Sequence, residues 1–161
     1  MEFKKGDILL SFSSGFIQRV IESVTKGASH CAVLCDEKGN TIEADGMRNV
    51  GFSDISQYST RIKVYRLSNS GANIDLGITW LLSQFGRPYD YWDIFILFIR
   101  CVFKLKLPWK EGKAIICSRL TRDFLFESKL NIPDDNMTPR DVEDWIIANG
   151  GELIVDTVTN M

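Results

Sequence analysis

The sequence predicts an α+β domain, with most of its strands in the first half of the chain and most of its helices in the second. Two observations lead to this prediction. Residues 61–67 alternate polar and apolar side chains with period two, as a half-buried strand does. From residue 74 onward, apolar side chains instead recur at helical spacing. Runs of strands followed by runs of helices are typical of an α+β architecture.

Strand signals come first along the chain. Residues 7–12 form a short apolar run, and residues 30–36 and 41–44 flank a turn at residues 38–40, which predicts a β-hairpin. Between the first strand and the hairpin, five apolar residues share one helical face and predict a helix that ends near Gly27: Phe16, Ile17, Val20, Ile21 and Val24.

Helix signals dominate the second half. A possible cap at Ser53 indicates a short helix, and the apolar spacing from Ile74 to Phe85 predicts a longer one. The next helix starts at Cys117 and packs through Leu120, Phe124 and Leu125. Thr138, with proline and an acid in the following turn, predicts the start of a further helix, and residues 152–156 predict a last strand.

The most apolar stretch of the chain covers residues 94–103. It is about half as long as the roughly 20 residues that a membrane span needs, and Arg100 and Lys104 interrupt it. We therefore expect a buried helix here and no transmembrane segment. A hydrophobic wall of a substrate site and a helix lying in a membrane interface are the functional alternatives, so peripheral membrane contact stays open.

Composition narrows the classes of function. The 161 residues fit one domain, 1–161, and 19 basic residues nearly balance 21 acidic ones, so no strong field favours nucleic acid or a membrane surface. The N-terminus lacks the apolar core of a signal peptide, from which we expect a cytoplasmic protein. The four cysteines show neither paired CxxC spacing nor the density of a disulfide scaffold, which predicts free thiols.

His30 and Cys117 form a candidate thiol site. At the start of a helix, Cys117 would meet unpaired amide donors and the positive end of the helix dipole, which favour the thiolate. The lone histidine, His30, can activate a nearby thiol. Strand alternation places Cys31 and Cys35 on the opposite face from His30, where they are interpreted as core residues. Cys117 itself can equally be a buried thiol beside Leu120, and both interpretations stay open.

Glu43 is the candidate for orienting His30, and the hairpin register decides whether the two meet. A two-residue turn at 38–39 would pair Glu43 with Leu34, roughly 13 Å along the strand from His30. A four-residue turn over 36–39 would pair Glu43 with Ala32 instead. The glutamate would then lie diagonal to His30 on the same face, at roughly 7 Å between β-carbons. An exposed strand acid is the alternative interpretation.

Together these segments resemble the circularly permuted branch of the NlpC-type papain-like cysteine peptidase and amidase superfamily. This branch includes YiiX-like proteins and, more distantly, the lecithin:retinol acyltransferase-like enzymes. Six motifs in the order of the family carry the resemblance: Gly6–Leu10, Ser29–Val33, Thr41–Ala44, Gly86–Asp90, Cys117–Leu120 and Thr138–Val142. The resemblance implies a papain-like fold in which an antiparallel sheet packs against helices and the catalytic cysteine begins a helix.

The same resemblance implies a role for each matching residue. Cys117 would be the nucleophile, His30 the general base and then acid, and Glu43 the residue that orients the imidazole. Tyr89 and Ser118 would contact the oxyanion or the substrate, and no cofactor or metal is implied. Two departures put the substrate in doubt: Arg119 stands where relatives often have glutamate, and the connection between Tyr89 and Cys117 is long.

We therefore expect a cysteine hydrolase or acyltransferase that works through an acyl-enzyme on Cys117. Its substrate would be a peptide, a cell-wall fragment or a lipid-linked acyl group. Four large apolar residues within 92–109 favour a substrate with a hydrophobic part, although core packing explains them too: Trp92, Phe95, Phe98 and Trp109. A non-catalytic lipid- or peptide-binding module of the same fold is the alternative. A zinc site is disfavoured because the cysteines lack short paired spacing.

Overall fold

Six strands form one antiparallel sheet in the order β4-β3-β2-β1-β5-β6. The structure is a computed structural model that describes residues 2–12, 22–23, 27–58, 61–68, 71–103, 112–133 and 137–158, without the side chains of residues 97–98 and 100–102. The strands are β1 (Ile8–Ser11), β2 (His30–Leu34), β3 (Asn40–Asp45), β4 (Arg48–Asp54), β5 (Ile62–Leu67) and β6 (Gly151–Asp156).

The strands predicted near residues 7–12, 30–36, 41–44, 61–67 and 152–156 are confirmed. The first of them, β1, lies between β2 and β5 and is buried along its whole length, as its unbroken apolar run requires. Strand β4 was not predicted from the sequence. This strand forms one edge of the sheet and mixes polar residues with Gly51, so it lacks a regular apolar alternation.

Four helices of 10 to 13 residues occur among the described residues: α1 (Ile74–Ser83), α2 (Tyr91–Phe103), α3 (Cys117–Glu127) and α4 (Pro139–Ala148). The cap predicted at Thr138 is confirmed, because its side chain accepts from the Asp141 amide in a reciprocal capping box. Instead of a helix at Ser53, a 3₁₀ turn at Ile55–Gln57 is capped by Asp54. Of the helix predicted over residues 16–24, only residues 22–23 are described, and both are helical.

Strand alternation divides the buried residues between the two faces of the sheet. On one face, Ile8, Leu10, Cys31 and Val33 belong to the main core together with buried residues of α1, α3 and α4. On the other face, a smaller cluster contains Leu9, Ala32, Leu34 and Val64. The main core therefore holds α3, and with it Cys117, against the sheet.

The contact between α1 and α3 depends on Gly77, which lies in the middle of α1. A β-carbon at Gly77 would lie 2.8 Å from ring carbons of the buried Phe124 and 2.1 Å from the Ser128 hydroxyl oxygen. We expect Gly77→Ala to lower the free energy of unfolding by about 1–3 kcal/mol, because overpacking outweighs the better helix propensity of alanine. Urea unfolding measures this change.

Thr79→Ala is the matched control, because Thr79 is exposed on the same helix. Its free energy of unfolding should change by less than about 0.5 kcal/mol. Equal stability of Gly77→Ala and the wild type would contradict the close packing of α1 on α3.

Candidate active site

The turn between β2 and β3 sets the position of Glu43. Val33 pairs with Ile42 and Leu34 with Thr41, so continuing the register by one residue places Glu43 opposite Ala32. The side chain of Asp36 stabilises this four-residue turn by accepting hydrogen bonds from the backbone amides of Lys38 and Asn40 at 2.9 and 3.1 Å. This is the register that lets Glu43 reach His30.

His30 and Glu43 form a hydrogen-bonded pair. Nε2 of His30 lies 2.7 Å from Oε2 of Glu43. Burial alone would raise the pKa of Glu43, but the hydrogen bond and charge of His30, assisted by the hydroxyls of Tyr58 and Ser53, lower it from 4.5 to about 2. Glu43 is therefore a carboxylate at neutral pH and fixes one ring nitrogen of the histidine.

Two residues that the sequence analysis did not single out complete the surroundings of this carboxylate. The Tyr58 hydroxyl donates to the same Glu43 oxygen that contacts His30, and the Tyr58 ring stacks on the imidazole at 5.9 Å between centroids. Arg48 donates to the other carboxylate oxygen at 3.3 Å. Neither residue carries a sequence signal, because each reaches Glu43 only through the course of β4 and the 3₁₀ turn that follows it.

His30 also interacts with the thiol of Cys117. Burial lowers the pKa of His30, but the charge and hydrogen bond of Cys117, followed by those of Glu43, outweigh it and raise the pKa from 6.5 to about 10. Because Nε2 contacts Glu43, Nδ1 is the ring nitrogen left for the thiol. The histidine is therefore an imidazolium at neutral pH, held between a carboxylate and a sulfur.

Cys117 is the first residue of α3, and its thiol is the anionic partner of this imidazolium. A hydrogen bond from Cys31 lowers the pKa of Cys117 well below 9.0 against the opposing effect of burial, and the charge and hydrogen bond of His30 lower it further. The residue before it, Ile116, has no side-chain acceptor with which to cap the helix. Amide donors at the helix start therefore stay available beside the sulfur.

Cys31 also belongs to the site. From the sequence it was interpreted as a core residue alone. It lies in the main core, as strand alternation predicts, and it also hydrogen-bonds the Cys117 sulfur through its thiol and its backbone amide. Burial, followed by the hydrogen bond and charge of Cys117, raises the pKa of Cys31 well above 9.0. Cys31 is thus a neutral thiol donor. The half-buried Cys35 instead donates to the backbone oxygen of Asn40 at 3.3 Å.

Tyr89 lies near the thiols, and Ser118 is fully buried. Tyr89 forms an isolated parallel bridge with Ile115, two residues before Cys117. Burial raises the pKa of the Tyr89 hydroxyl, and the charges of Cys117 and Cys31 raise it further, so the hydroxyl stays protonated and can donate.

The Ser118 hydroxyl has no hydrogen-bond partner among the described residues. Arg119, the departure from the family pattern, pairs with Asp123 at 3.7 Å.

A separate groove of about 480 Å³ lies at the turn end of the hairpin, and neither Cys31 nor Cys117 lines it. Its walls are apolar side chains of β4 and α1 together with polar residues of the turn: Phe52, Ile78, Leu82, Cys35, Asp36 and Asn40. Because His30 lies at the other end of β2 from Cys35, this groove does not adjoin the sulfur of Cys117.

The described residues contain neither a candidate metal site nor a membrane-spanning helix. Among them, no group of three or more His, Cys, Asp or Glu side chains is arranged to hold a metal ion. None of the described helices has both the length and the apolar character to cross a membrane.

Comparisons with known proteins identify similar solved structures. No protein-family model matches the sequence, and no curated protein matches it either. The fold is similar to the crystal structure of metalloprotein yiiX (DUF1105) from Escherichia coli O157:H7, with a TM-score of 0.60 and 16% sequence identity. The similarity covers 98% of this chain and 92% of that protein. The chain therefore has a YiiX-like fold.

Proposed function

We propose that this chain is a thiol-dependent hydrolase or acyltransferase with one circularly permuted papain-like domain over residues 1–161. It acts on an amide, ester or thioester carbonyl through an acyl-enzyme on Cys117. The observation that carries the proposal is the continuous set of contacts from Glu43 through His30 to Cys117. Strongly opposed pKa shifts on a buried thiol and a partly buried imidazole are characteristic of an activated cysteine nucleophile.

In the first step, the Cys117 thiolate attacks the carbonyl carbon, a C–S bond forms, and the carbonyl π electrons move to oxygen. The amides at the start of α3 supply hydrogen bonds for that oxyanion, and the protonated Tyr89 hydroxyl is a further donor. As the intermediate collapses, the bond to the leaving group breaks and the His30 imidazolium gives its proton to the leaving atom. An acyl-enzyme and a neutral imidazole remain.

In the second step, the neutral His30 takes a proton from water or from an acceptor hydroxyl or amine. That nucleophile attacks the thioester carbonyl, and collapse of the new intermediate expels the Cys117 thiolate. The imidazolium and thiolate are thereby restored. Glu43 keeps the ring oriented and stabilises its positive charge throughout, as the acidic member of a catalytic triad does.

The YiiX-like fold supports the family assignment, since that branch of the superfamily is the one the motifs resemble. The solved neighbour is described as a metalloprotein. The described residues of this chain provide no group of three or more suitable ligands, so we route no step of the reaction through a metal. All groups that the two steps require belong to the chain itself.

Trapping the acyl-enzyme tests the proposal. The wild type is incubated with a panel of p-nitrophenyl esters, thioesters and peptide amides, and intact-mass spectrometry followed by peptide mapping locates any adduct. We expect a stoichiometric acyl adduct on Cys117 with at least one ester or thioester, because a thioester intermediate must form before release.

Cys31→Ala and Cys117→Ala are the matched controls for this experiment, since their sulfurs share one hydrogen bond. The adduct should persist in Cys31→Ala and disappear in Cys117→Ala. If the wild type forms no adduct with any member of the panel, a non-catalytic module that binds peptides or lipids becomes the better description.

A further inference from the structure

An exposed aromatic face lies along α2, outside the thiol site. Its large side chains are solvent-exposed, with 66% of Tyr91, 67% of Trp92, 51% of Phe95 and 62% of Phe103 accessible. At 100° per residue these four residues lie within an arc of about 120° on the helix. The acidic Asp93 is buried and lies outside that arc. We call these four residues the aromatic face.

The aromatic face is too apolar to be an ordinary solvent-exposed surface. Large aromatic side chains have some of the most favourable free energies of transfer out of water. Three residues of the face are of this kind, yet each is more than half exposed: Trp92, Phe95 and Phe103. Trp92 and Phe95 also pack against each other as tilted rings, with centroids 5.5 Å apart, so their surfaces are contiguous. A contiguous apolar patch on a helix indicates a binding surface.

The charge of the sequence that directly follows the aromatic face indicates what covers it. The ten residues that follow Phe103 contain four lysines and one acid: Lys104, Lys106, Lys110, Lys113 and Glu111. This local excess of positive charge contrasts with the net charge of -2 for the chain as a whole. Basic residues that follow an apolar helix in the sequence complement the anionic head groups of a bilayer.

The length and composition of α2 suit a helix that lies in the plane of a bilayer surface. Its 13 residues extend about 20 Å, which is too short to span the hydrocarbon core. Tyr91 and Trp92 occupy its first turn, and such amphipathic rings favour the level of the lipid head groups. A protein partner would not specifically require flanking lysines, so the bilayer is the better match.

The aromatic face also borders the thiol site. The rings of Tyr91 and Tyr89 meet edge to face at 5.3 Å, and Tyr89 is bridged to Ile115 next to the start of α3. The Tyr91 hydroxyl donates to the backbone oxygen of Gly46, which follows the strand that carries Glu43. A bilayer on the aromatic face would therefore bring lipid close to the rim of the site.

We propose that the aromatic face binds anionic membrane surfaces and that the acyl group received by Cys117 is lipid-linked. The substrate part rests on the proposed function, whereas the membrane part does not. Membrane binding would present an ester- or amide-linked acyl chain to the thiolate directly from the bilayer.

Vesicle co-sedimentation tests the membrane part. The probes are vesicles of phosphatidylcholine alone and of phosphatidylcholine mixed with phosphatidylserine. We expect the wild type to bind the mixed vesicles at least about tenfold more tightly than the neutral ones, and to lose this preference at high salt. In the double variant Trp92→Glu/Phe95→Glu, binding should fall by about 10- to 100-fold, because two rings no longer enter the interface.

Ile147→Glu is the matched control, since Ile147 is 53% exposed on α4. It introduces one negative charge on a different helix, as Phe103→Glu does on α2, and it should bind as the wild type does. Circular dichroism checks folding of the double variant, and Phe103→Glu provides a second variant if the first is unfolded. Equal binding of all variants, or absent wild-type binding, would overturn the inference. A wild-type dimer that the double variant loses would assign the aromatic face to a second copy of the chain.

The two proposals fail in different ways. Cys117→Ala should bind vesicles as the wild type does, because Cys117 is only 4% exposed and belongs to the core. Vesicle binding without any acyl adduct would leave the membrane inference standing and overturn the hydrolase. An acyl adduct from a soluble ester, without vesicle binding, would support the hydrolase and overturn the membrane inference. A third outcome is that the protein binds vesicles and is acylated by a soluble thioester but not by a thioester carried in the vesicles. This outcome would overturn only the proposal that the acyl group is lipid-linked.

Discussion

Replacing Cys117 with serine is expected to reduce kcat/KM at least about 10³-fold for any ester or thioester that acylates the wild type. A serine hydroxyl ionises far less readily than a thiol, and the His30–Glu43 pair is matched to a sulfur that is already anionic. The assay follows release of the leaving group under conditions in which the wild type shows steady turnover. Residual activity above the uncatalysed rate measures what the remaining groups contribute.

Cys31→Ser is the informative control for this loss. It removes the second sulfur of the site while keeping a hydroxyl donor toward Cys117. We expect this variant to retain most of the turnover. If Cys31→Ser lost activity while Cys117→Ser kept it, the nucleophile would be Cys31 and the roles of the two thiols would be reversed.

Replacing His30 with alanine is expected to slow alkylation of Cys117 by iodoacetamide about 10²-fold or more at about pH 6. In the wild type, the lowered pKa of Cys117 keeps the thiolate as pH falls, and the raised pKa of His30 keeps the imidazolium until pH rises through about 10. Without the imidazolium, burial pushes the pKa of the thiol upward. Labelling of the variant should then rise about tenfold per pH unit, where the wild type shows a plateau.

His30→Gln provides the matched comparison, because an amide can still donate to Glu43 but carries no charge. We expect it to slow labelling as His30→Ala does while preserving more of the stability. Peptide mapping must place the label on Cys117, since Cys31 and Cys35 are also free thiols. A labelling rate and pH profile unchanged in both variants would reduce His30 to a structural residue.

Much of the sheet and the choice of thiol followed from local patterns. Period-two alternation located β5 and the hairpin, and the position of Cys117 at the start of a helix separated it from the other cysteines. The edge strand β4 was missed, because its pairing with β3 does not depend on an apolar stripe. Tyr58 and Arg48 were missed for a related reason: they approach Glu43 from that strand and the turn after it.

Cys31 illustrates the limit of a pattern more sharply. Alternation correctly assigned it to the core face, but a residue on the core face can also contact the Cys117 thiol when a helix begins with that cysteine against the same face. Position along a strand determines the face on which a side chain lies. It does not determine which residue of another element packs there.

By itself, the sequence determined that His30 and Glu43 lie on paired strands and that Cys117 begins a helix, because these follow from periodicity and helix-start signals over a few residues. Only the tertiary structure decided the four-residue turn that Asp36 stabilises, the approach of α3 to β2, and the contact between the two thiols. The reason is physical: ionisation of Cys117 depends on burial and on neighbours distant in sequence, which chain folding alone brings within hydrogen-bonding distance.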